Sequence, residues 1–258
     1  MSHAGRALIG HRGFVGSNLA AARKFDDYFG SADIGAIGER EYELVVCAAP
    51  GAEKWRANRF PEEDAQMVGH LVEALRPVRT QRFVLISSID VYARKKDCWD
   101  DSDEYEQNQA YGKHRRELEC FVENTFESSF IVRLPGLFGT GLKKNLVFDL
   151  LHDHQLELIN PASSFQFYDL RRLADDIDRI LELKIRSLLL ATEPVYVRDI
   201  VSSYFPEKKI GSRPNPEAHY DVRSRSAQIL GGKDGYLLSA QQVMSGLGSF
   251  IDGYRHAT

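Results

Sequence analysis

Short apolar runs that alternate with helix-like segments are the feature of this sequence that most restricts its fold. Four segments read as strands: 6–10 (RALIG), 43–48 (ELVVCA), 82–87 (RFVLIS) and 130–133 (FIVR). Three segments between them carry apolar residues at helical spacing: 14–25, 62–75 and 111–126. Apolar strands separated by helices form parallel sheets that are covered by helices on both faces. The sequence therefore predicts an α/β fold with a doubly wound parallel sheet.

Beyond Pro135 this alternation weakens. A glycine-containing turn at 136–141 leads into a predicted helix that ends near Leu151, and shorter elements follow. We expect residues 1–135 to form the core domain and residues 136–258 to form a small lobe that holds the substrate. The chain is long enough to bury a core, since 43% of its 258 residues are hydrophobic.

Composition excludes several classes of function. The 33 basic and 37 acidic residues are spread without long blocks of one sign, which does not indicate a nucleic-acid binder. The three cysteines, Cys47, Cys98 and Cys120, lack the spacing of metal ligands, so we expect neither a disulfide framework nor a metal site. Their small number and wide separation favour a reducing compartment. No stretch approaches the roughly 20 apolar residues of a membrane span. We expect a soluble, cytoplasmic protein without a membrane or nucleic-acid partner.

Three glycines, Gly10, Gly13 and Gly16, follow the first predicted strand and open the first predicted helix. At this place glycines allow a tight turn, close approach of the backbone to a pyrophosphate, and packing of helix on strand. The helix N-terminus adds N–H groups and a partial positive charge that attract phosphate. The context favours a dinucleotide-binding loop over a ligand-free glycine turn.

The loop GHRGFVGSNL resembles that of the extended short-chain dehydrogenases/reductases, and within them the GDP-fucose synthases most closely. The resemblance implies a Rossmann-type fold, a nicotinamide dinucleotide and a nucleotide-linked sugar as substrate. It assigns the cofactor to the loop residues Gly10, Arg12, Gly13, Phe14, Val15 and Gly16. Arg12 would face the adenosine ribose and favour a 2′-phosphate, so NADP is expected and NAD is the alternative.

Two further segments bear on the cofactor. NAD-binding domains usually place an acidic residue at the end of the second strand, where this chain has neutral Ser31, and its first acid is Asp33. This absence also favours NADP, although Asp33 with Ile34 alternatively corresponds to a pair that contacts adenine in the family. Ala48 and Ala49 match a small-residue turn beside the cofactor, or form an ordinary turn after a strand.

A hydroxyl group, a phenol and a cation are predicted to form the catalytic group. Ser88 follows the carboxyl end of a strand, and Tyr111 opens a long helix with Arg115 one turn later on the same face. A tyrosine whose pKa is near 10 needs a nearby positive charge to exchange protons near neutral pH. The arrangement is similar to the Ser, Tyr-xxx-Lys group of the family, with arginine in place of lysine. Either Arg115 preserves the chemistry, or the chain binds the cofactor with weakened or lost activity.

Asp90 lies two residues beyond Ser88. GDP-fucose synthases carry a proton-transferring cysteine at this position, and sugar dehydratases carry an Asp-Glu pair after their threonine. Here the pair is Ile89-Asp90, so the resemblance disfavours a dehydratase. Asp90 is either an acid/base or a cap of the local backbone turn.

The second half provides the predicted substrate residues. Lys143, Lys144 and Asn145 open a predicted helix, where two cations and helix N–H groups would hold a diphosphate; a solvated surface pair is the alternative. Gly136 replaces an asparagine that often contacts the substrate in the family. Arg223 matches a late basic residue near the nucleotide, or forms a surface salt bridge. The resemblance also implies that the lobe is interleaved with the core, through 165–170 and 220–226.

Three functions fit these residues. The first is a reductase or epimerase of a nucleotide-activated sugar. The second is a reductase of another small carbonyl compound, which the short second half favours. The third is a catalytically idle dinucleotide-binding sensor, which Arg115 favours. A homodimer is compatible with all three.

Overall fold

The computed structural model describes residues 4–102 and 107–257. Its strands are β1 (Gly5–Ile9), β2 (Asp27–Phe29), β3 (Glu41–Cys47), β4 (Arg79–Ser88), β5 (Cys98–Trp99), β6 (Ser129–Leu134), β7 (Gly136–Phe138), β8 (Ser164–Phe165), β9 (Phe167–Asp169), β10 (Ser187–Leu189), β11 (Val195–Tyr196) and β12 (Val222–Arg223). Its helices are α1 (Phe14–Ala22), α2 (Lys54–Arg59), α3 (Pro61–Leu75), α4 (Ala110–Thr125), α5 (Leu146–Leu151), α6 (Leu173–Glu182), α7 (Val197–Tyr204) and α8 (Ala240–Ala257).

The main sheet has six strands in the order β10-β6-β4-β3-β1-β2, and the pairs from β6 to β2 are parallel. The chain runs from β1 outward to β2 and then returns to β3 on the other side of β1. This reversal of direction is the switch point at which doubly wound sheets bind ligands, beyond the carboxyl ends of the strands. The predicted α/β doubly wound fold is confirmed.

Helices cover both faces of this sheet. On one face, α3 and α4 bury Val68, Leu71, Leu118 and Val122 against strand residues such as Leu85. The side chains that alternate with these along the strands lie on the opposite face, where α1 and α6 contact β1 and β6. Both faces of the strands are therefore apolar, as the sequence indicated.

The described chain divides into two compact units. The first comprises 1–94, 102–134 and 171–188, and the second comprises 95–101, 135–170 and 189–258. The division differs from a single cut at residue 135 because 171–188, which carries α6, returns to the first unit. Among the described residues, no helix has the length and the apolar character needed to cross a membrane.

The second unit is held together by short strand pairs and a buried amide. β7 pairs with β9, β8 with β11 and β5 with β12. The side chain of Gln166, which is 1% exposed, donates to the carbonyls of Thr192 and Val222 and accepts from the N–H of Val222. This amide satisfies backbone groups from segments that are distant in sequence.

The segment between β2 and β3 is shorter than a full strand–helix pair. It contains only a 3₁₀ helix at Ile34–Glu39, which packs Ile37 into the core. Helix α2 was not predicted from the sequence as a separate element, because six residues are too few to show helical periodicity.

Candidate functional site

The glycine loop has the backbone that a close approach to phosphate requires. Gly10 adopts a φ of 82°, and a Cβ atom on Gly16 would lie 2.1 Å from the carbonyl oxygen of Gly10. The loop therefore folds back onto the first turn of α1 with no room for side chains. Gly13 is the N-cap of α1 and offers no side chain to the first N–H groups of the helix, whose first turn carries Phe14, Val15 and Gly16 and no acidic residue. This helix end is electropositive and uncapped.

Arg12 lies over the end of β2. A Cβ atom on Gly30 would come within 2.3 Å of an Nη atom of Arg12, so the guanidinium rests directly on the backbone of Gly30. Arg12 is exposed, and none of the described residues forms an ion pair with it. Where a carboxylate would stand in many NAD-binding domains, this chain thus presents a guanidinium.

Ser31 and Asp33 follow on the exposed surface beyond β2. The carboxylate of Asp33 accepts a hydrogen bond of 2.5 Å from the N–H of Gly30. Asp33 therefore fixes the turn on which Arg12 rests, whether or not it also contacts an adenine.

Three neighbouring strands deliver the predicted site residues to one edge of the sheet. In the register Ile9 is opposite Cys47, and Cys47 is opposite Leu85. The glycine loop after β1, Ala48 and Ala49 after β3, and the end of β4 at Ser88 consequently share the carboxyl edge.

We refer to Ser88, Tyr111, Arg115, Asp64 and His114 as the Tyr111 cluster. Tyr111 is 5% exposed at the start of α4, and its backbone N–H donates to Asn58 Oδ1 at 3.0 Å. Its hydroxyl lies near the side chains of Ser88 and Arg115, which both act to lower its pKa. The Cζ atom of Arg115 lies 4.4 Å from the centre of the Tyr111 ring. The structure thus brings together the three residues that the sequence proposed as the catalytic group.

Asp64 is the partner of Arg115, and it was not predicted from the sequence. Nη1 and Nη2 of Arg115 donate to the two carboxylate oxygens of Asp64 at 2.9 and 3.1 Å, and Nη2 also donates to the carbonyl of Gly51 at 2.9 Å. Nδ1 of His114 lies 2.8 Å from the same carboxylate. A planar guanidinium makes this two-pronged contact, whereas a lysine ammonium cannot.

The pKa values of Asp64 and Tyr111 are shifted in opposite directions. Burial acts to raise the pKa of Asp64, but hydrogen bonds from Arg115 and His114 outweigh it, so the pKa is below its usual value of 3.8. Burial raises the pKa of Tyr111 above 10.0, while the charge of Arg115 and the side chain of Ser88 oppose this and Asp90 adds to it. In the free protein Tyr111 is therefore a phenol facing an ionised carboxylate–guanidinium pair.

Asp90 has a cationic partner. Its Oδ1 atom lies 2.7 Å from Nζ of Lys54 at the start of α2. Its backbone N–H donates to Ser88 Oγ at 3.1 Å, so the serine side chain, and not that of Asp90, caps this turn. A carboxylate and an ammonium group therefore lie next to the Ser88 and Tyr111 hydroxyls.

A second buried cluster, the Tyr92 cluster, consists of Ser87, Tyr92, Arg116, Glu119 and Arg133. Arg133 donates to both carboxylate oxygens of Glu119 at 2.9 and 2.6 Å, and to the hydroxyl of Tyr92 at 2.6 Å. Ser87 and Arg116 donate to the same carboxylate at 2.6 and 2.9 Å. Glu119 is fully buried, so this cluster ties α4 to β4 and β6.

The predicted diphosphate residues lie in the second unit. Lys143 and Lys144 are exposed. The side chain of Asn145 accepts from the N–H groups of Val147 and Phe148 at 3.0 and 3.2 Å. Asn145 therefore caps this end of α5 with its own side chain. The diphosphate site at Lys143, Lys144 and Asn145 stays a prediction.

Arg223, also in the second unit, is bound by its own neighbours. It hydrogen bonds Asp221 at 3.2 and 3.4 Å and the hydroxyl of Tyr236 at 2.9 Å. The hydrogen bonds to Asp221 and Tyr236 raise its pKa. These contacts correspond to the salt-bridge alternative for Arg223.

The second unit contains a cavity of about 310 Å³. The cavity is lined by apolar residues and by residues whose side chains form hydrogen bonds. They are Leu146, Asp149, Gln155, Leu158, Ile159, Asn160, Ser163, Phe165, Val197, Asn215, Pro216 and Ala218. No lysine or arginine is among these described lining residues, and Asp149 is paired with His154. Such a cavity suits a neutral group that makes hydrogen bonds.

Asp64 could have been found from the sequence. It stands four residues before Val68 on the buried stripe Asp64, Val68, Leu71 and Leu75 of α3. A carboxylate at an apolar stripe position requires a buried cation. Lys54 gives no such signal, because it is part of a helix of six residues.

Within the described ranges, no group of three or more His, Cys, Asp or Glu residues is arranged to hold a metal ion.

Comparison with known proteins agrees with this geometry. No curated protein sequence matches the chain significantly. Residues 31–156 match the model of the NAD dependent epimerase/dehydratase family.

Solved structures match over nearly the whole chain. The dTDP-4-dehydrorhamnose reductase of Bacillus anthracis, in complex with NADP, is 15% identical with a TM-score of 0.75 and covers 98% of this chain and 99% of its own. The UDP-N-acetylglucosamine 4-epimerase of Methanobrevibacter ruminantium is 13% identical with a TM-score of 0.76 and covers 100% of both chains. The UDP-glucose 4-epimerase of Thermotoga maritima is 13% identical with a TM-score of 0.74 and covers 98% and 99%.

The resemblance stated from the sequence is confirmed by these matches. The chain has the fold of these three enzymes, and its residues 31–156 are similar to the NAD dependent epimerase/dehydratase family.

Proposed function

We propose that this protein is an NAD(P)-dependent oxidoreductase or epimerase that transfers a hydride to or from a nucleotide-activated sugar. The observation that carries the proposal is that Ser88, Tyr111 and Arg115 come together at the carboxyl edge of the sheet, with Arg115 Cζ 4.4 Å from the centre of the Tyr111 ring. The uncapped glycine loop lies after a strand of the same edge. A proton donor and a phosphate-binding loop at one edge suit carbonyl–alcohol chemistry with a dinucleotide.

The residues of the loop fit a dinucleotide. The tight turn at Gly10 leads directly into the first turn of α1, whose N–H groups have no side-chain cap and would hold the pyrophosphate. Phe14 and Val15 would contribute N–H groups, and Ala48 and Ala49 leave room for the cofactor beside β3. When bound, the nicotinamide supplies the hydride donor or acceptor.

NADP(H) is the proposed form. Arg12 is exposed, has no ion-pair partner among the described residues, and lies against Gly30 at the end of β2. Many NAD-binding domains carry a carboxylate at this place, which would repel a 2′-phosphate, whereas a guanidinium attracts it. Arg12→Ala should weaken NADPH binding by roughly tenfold or more, the loss expected for one charge-assisted contact of about 1.5–3 kcal/mol. NADH binding should change little. Equal losses for both cofactors, or a native preference for NADH, would contradict this assignment.

The substrate proposal rests on two observations. The three similar enzymes named above act on dTDP- or UDP-linked sugars. The cavity of the second unit has a neutral, hydrogen-bonding lining that suits a nucleobase or a sugar. Lys143 and Lys144 are proposed to contact the diphosphate, while the pairing of Arg223 with Asp221 argues for a structural role.

Ser88 would hold the carbonyl or alkoxide oxygen of the substrate, and Tyr111 would exchange the proton with it. Asp90, which lies 2.7 Å from Lys54, would act as a second acid or base. An epimerase that inverts the carbon next to a carbonyl needs such a second group.

The test is a turnover assay with both cofactors and a panel of nucleoside diphosphate sugars and their keto forms, monitored by nicotinamide absorbance. Mass spectrometry of the purified protein identifies compounds that co-purify. Turnover of small carbonyl compounds alone, without binding of nucleotide sugars, would favour the small-carbonyl reductase. Tight dinucleotide binding without any turnover would favour the sensor. The pairing of Arg115 with Asp64 supports this alternative, because it offsets the positive charge of the predicted catalytic group.

A further inference from the structure

Arg115 stands where the family has lysine, and its surroundings explain the difference. Both terminal nitrogens of its guanidinium donate to Asp64, and one also holds the carbonyl of Gly51. Asp64 is 3% exposed and Arg115 is 5% exposed, so both charges are almost fully removed from water. At this short separation each charge largely cancels the field of the other at more distant groups.

The pair also fixes the position of the guanidinium against Tyr111. The Cζ atom lies 4.4 Å from the ring centre, in contact with the ring face. Asp64 comes from the first turn of α3, where the helix N-terminus favours its negative charge. The carboxylate thus anchors an arginine that would otherwise sample many rotamers.

We propose that Asp64 is a positioning residue that holds Arg115 on the Tyr111 ring and offsets its charge, so that Tyr111 serves as the proton donor in the reduction of a keto group. This inference rests on the proposed function and selects the reductase among its two forms. An epimerase that oxidises an alcohol to a transient keto intermediate must first remove a proton from a hydroxyl group, for which the tyrosine must be a phenolate.

The groups that face Tyr111 come from several elements. Ser88 at the end of β4, Asp90 after it and Arg115 on α4 act on Tyr111 directly, and Asn58 on α2 accepts its backbone N–H. Behind them, Lys54 on α2 pairs with Asp90, and Asp64 on α3 pairs with Arg115 and His114. Lys54 is paired with Asp90 and Arg115 with Asp64, so both of these cations have a carboxylate partner. Such a balanced environment gives little net stabilisation to a phenolate, in line with the raised pKa of Tyr111.

The proposed step is balanced. The carbonyl carbon of the substrate gains a hydride from the reduced nicotinamide, and its oxygen takes the hydroxyl proton of Tyr111. The π bond of the carbonyl breaks, the nicotinamide is oxidised, and the Tyr111 phenolate regains a proton from water.

The test is an ultraviolet titration of the tyrosinate in the free protein, which needs neither cofactor nor substrate. Because the chain has 11 tyrosines, the titration of Tyr111 is the difference between each protein and the same protein carrying Tyr111→Phe. Asp64→Asn leaves the charge of Arg115 unopposed and should lower the Tyr111 midpoint by about one pH unit or more. Arg115→Gln leaves Asp64 unopposed and should raise it.

The double variant Asp64→Asn, Arg115→Gln completes the cycle. It leaves neither member of the pair as an unpaired buried charge, so it remains available if Asp64→Asn alone does not fold. Its midpoint should return close to that of the wild type and lie about one pH unit below that of Arg115→Gln. A midpoint equal to that of Arg115→Gln would overturn the role of Asp64.

Activity separates this inference from the function on which it rests. Once a keto substrate is found, the wild type should sustain reduction to a higher pH than Asp64→Asn, by the shift measured in the titration. If the titration shows the expected cycle and no nucleotide sugar reacts, the proposed function fails and the positioning role stands. If Tyr111-dependent turnover is found and the cycle is flat, only the role of Asp64 fails.

Discussion

The first unit contains two buried clusters built from the same kinds of side chain, and they differ in what the tyrosine hydroxyl contacts. In the Tyr92 cluster, the hydroxyl accepts from Arg133, whose other nitrogens are bound to Glu119. An arginine lies over the tyrosine ring in both clusters. In the Tyr111 cluster, however, the terminal nitrogens of Arg115 donate to Asp64, and the tyrosine hydroxyl lies near Ser88. The first arrangement uses the phenol to satisfy a buried cation. The second leaves the phenol near Ser88 at the carboxyl edge of the sheet, where we propose that the substrate oxygen binds.

The largest expected difference between the clusters is catalytic. Tyr111→Phe should lower the rate of hydride transfer about 10²- to 10⁴-fold, because it removes the proton donor, while cofactor affinity and folding stay close to those of the wild type. Tyr92→Phe is the matched control, and it should lower stability without slowing the folded enzyme. Single-turnover kinetics and chemical denaturation of both variants measure the contrast. Wild-type rates in Tyr111→Phe would remove the distinction between the clusters.

The Tyr92 cluster should dominate the stability. Glu119→Gln removes the charge that balances Arg133 in the core, and we expect a loss of about 3–5 kcal/mol in the free energy of unfolding. The control Glu123→Gln affects only the more exposed contact with Arg116 and should cost less than about 1 kcal/mol. Urea denaturation provides both values, and similar losses in the two variants would show that the buried network is not the anchor.

Two adjacent serines offer a finer test, because Ser87 and Ser88 belong to different clusters. Ser87→Ala removes a hydrogen bond to the buried Glu119 carboxylate and should cost about 1.5–3 kcal/mol of stability, with little effect on turnover. Ser88→Ala should lower turnover by roughly a hundredfold, the loss typical for a group that holds a reacting oxygen. The reverse assignment of the two effects would contradict the proposed site.

The smallest expected effect is on acid stability. The pKa of Asp64 is lowered in the folded protein, so its contribution to stability is present above the unfolded value near 3.8 and is lost as pH falls through the folded value. Asp64→Asn should therefore flatten part of the decrease in stability below about pH 5. Thermal unfolding across this range, compared with the wild type, would reveal it. Parallel curves would show that Asp64 does not contribute.

Local sequence patterns were sufficient for most of the fold and for naming three residues that the structure brings together at the candidate site. The glycine loop, Ser88 after β4 and Tyr111 with Arg115 on one face of α4 were all assigned from spacing and from the family resemblance. The N–H groups of α5 were assigned to a ligand, and the structure gives them to Asn145. An asparagine at the start of a helix is as well suited to capping as to binding, so the sequence alone could not choose.

The parallel sheet, its helices and the loop after β1 are readable from the amino-acid order alone, because periodicity and glycine placement act between residues that are close along the chain. The partner of Arg115 is decided instead by packing between segments that are distant in sequence. Asp64 and Arg115 are 51 residues apart and meet only because α3 and α4 pack on the same face of the sheet. From the sequence alone, the guanidinium of Arg115 is equally suited to contact a ribose or a phenolate. Which group it contacts depends on the carboxylate that the fold brings next to it. Burial makes that outcome strong, since a charged group removed from water must find its partner within the protein.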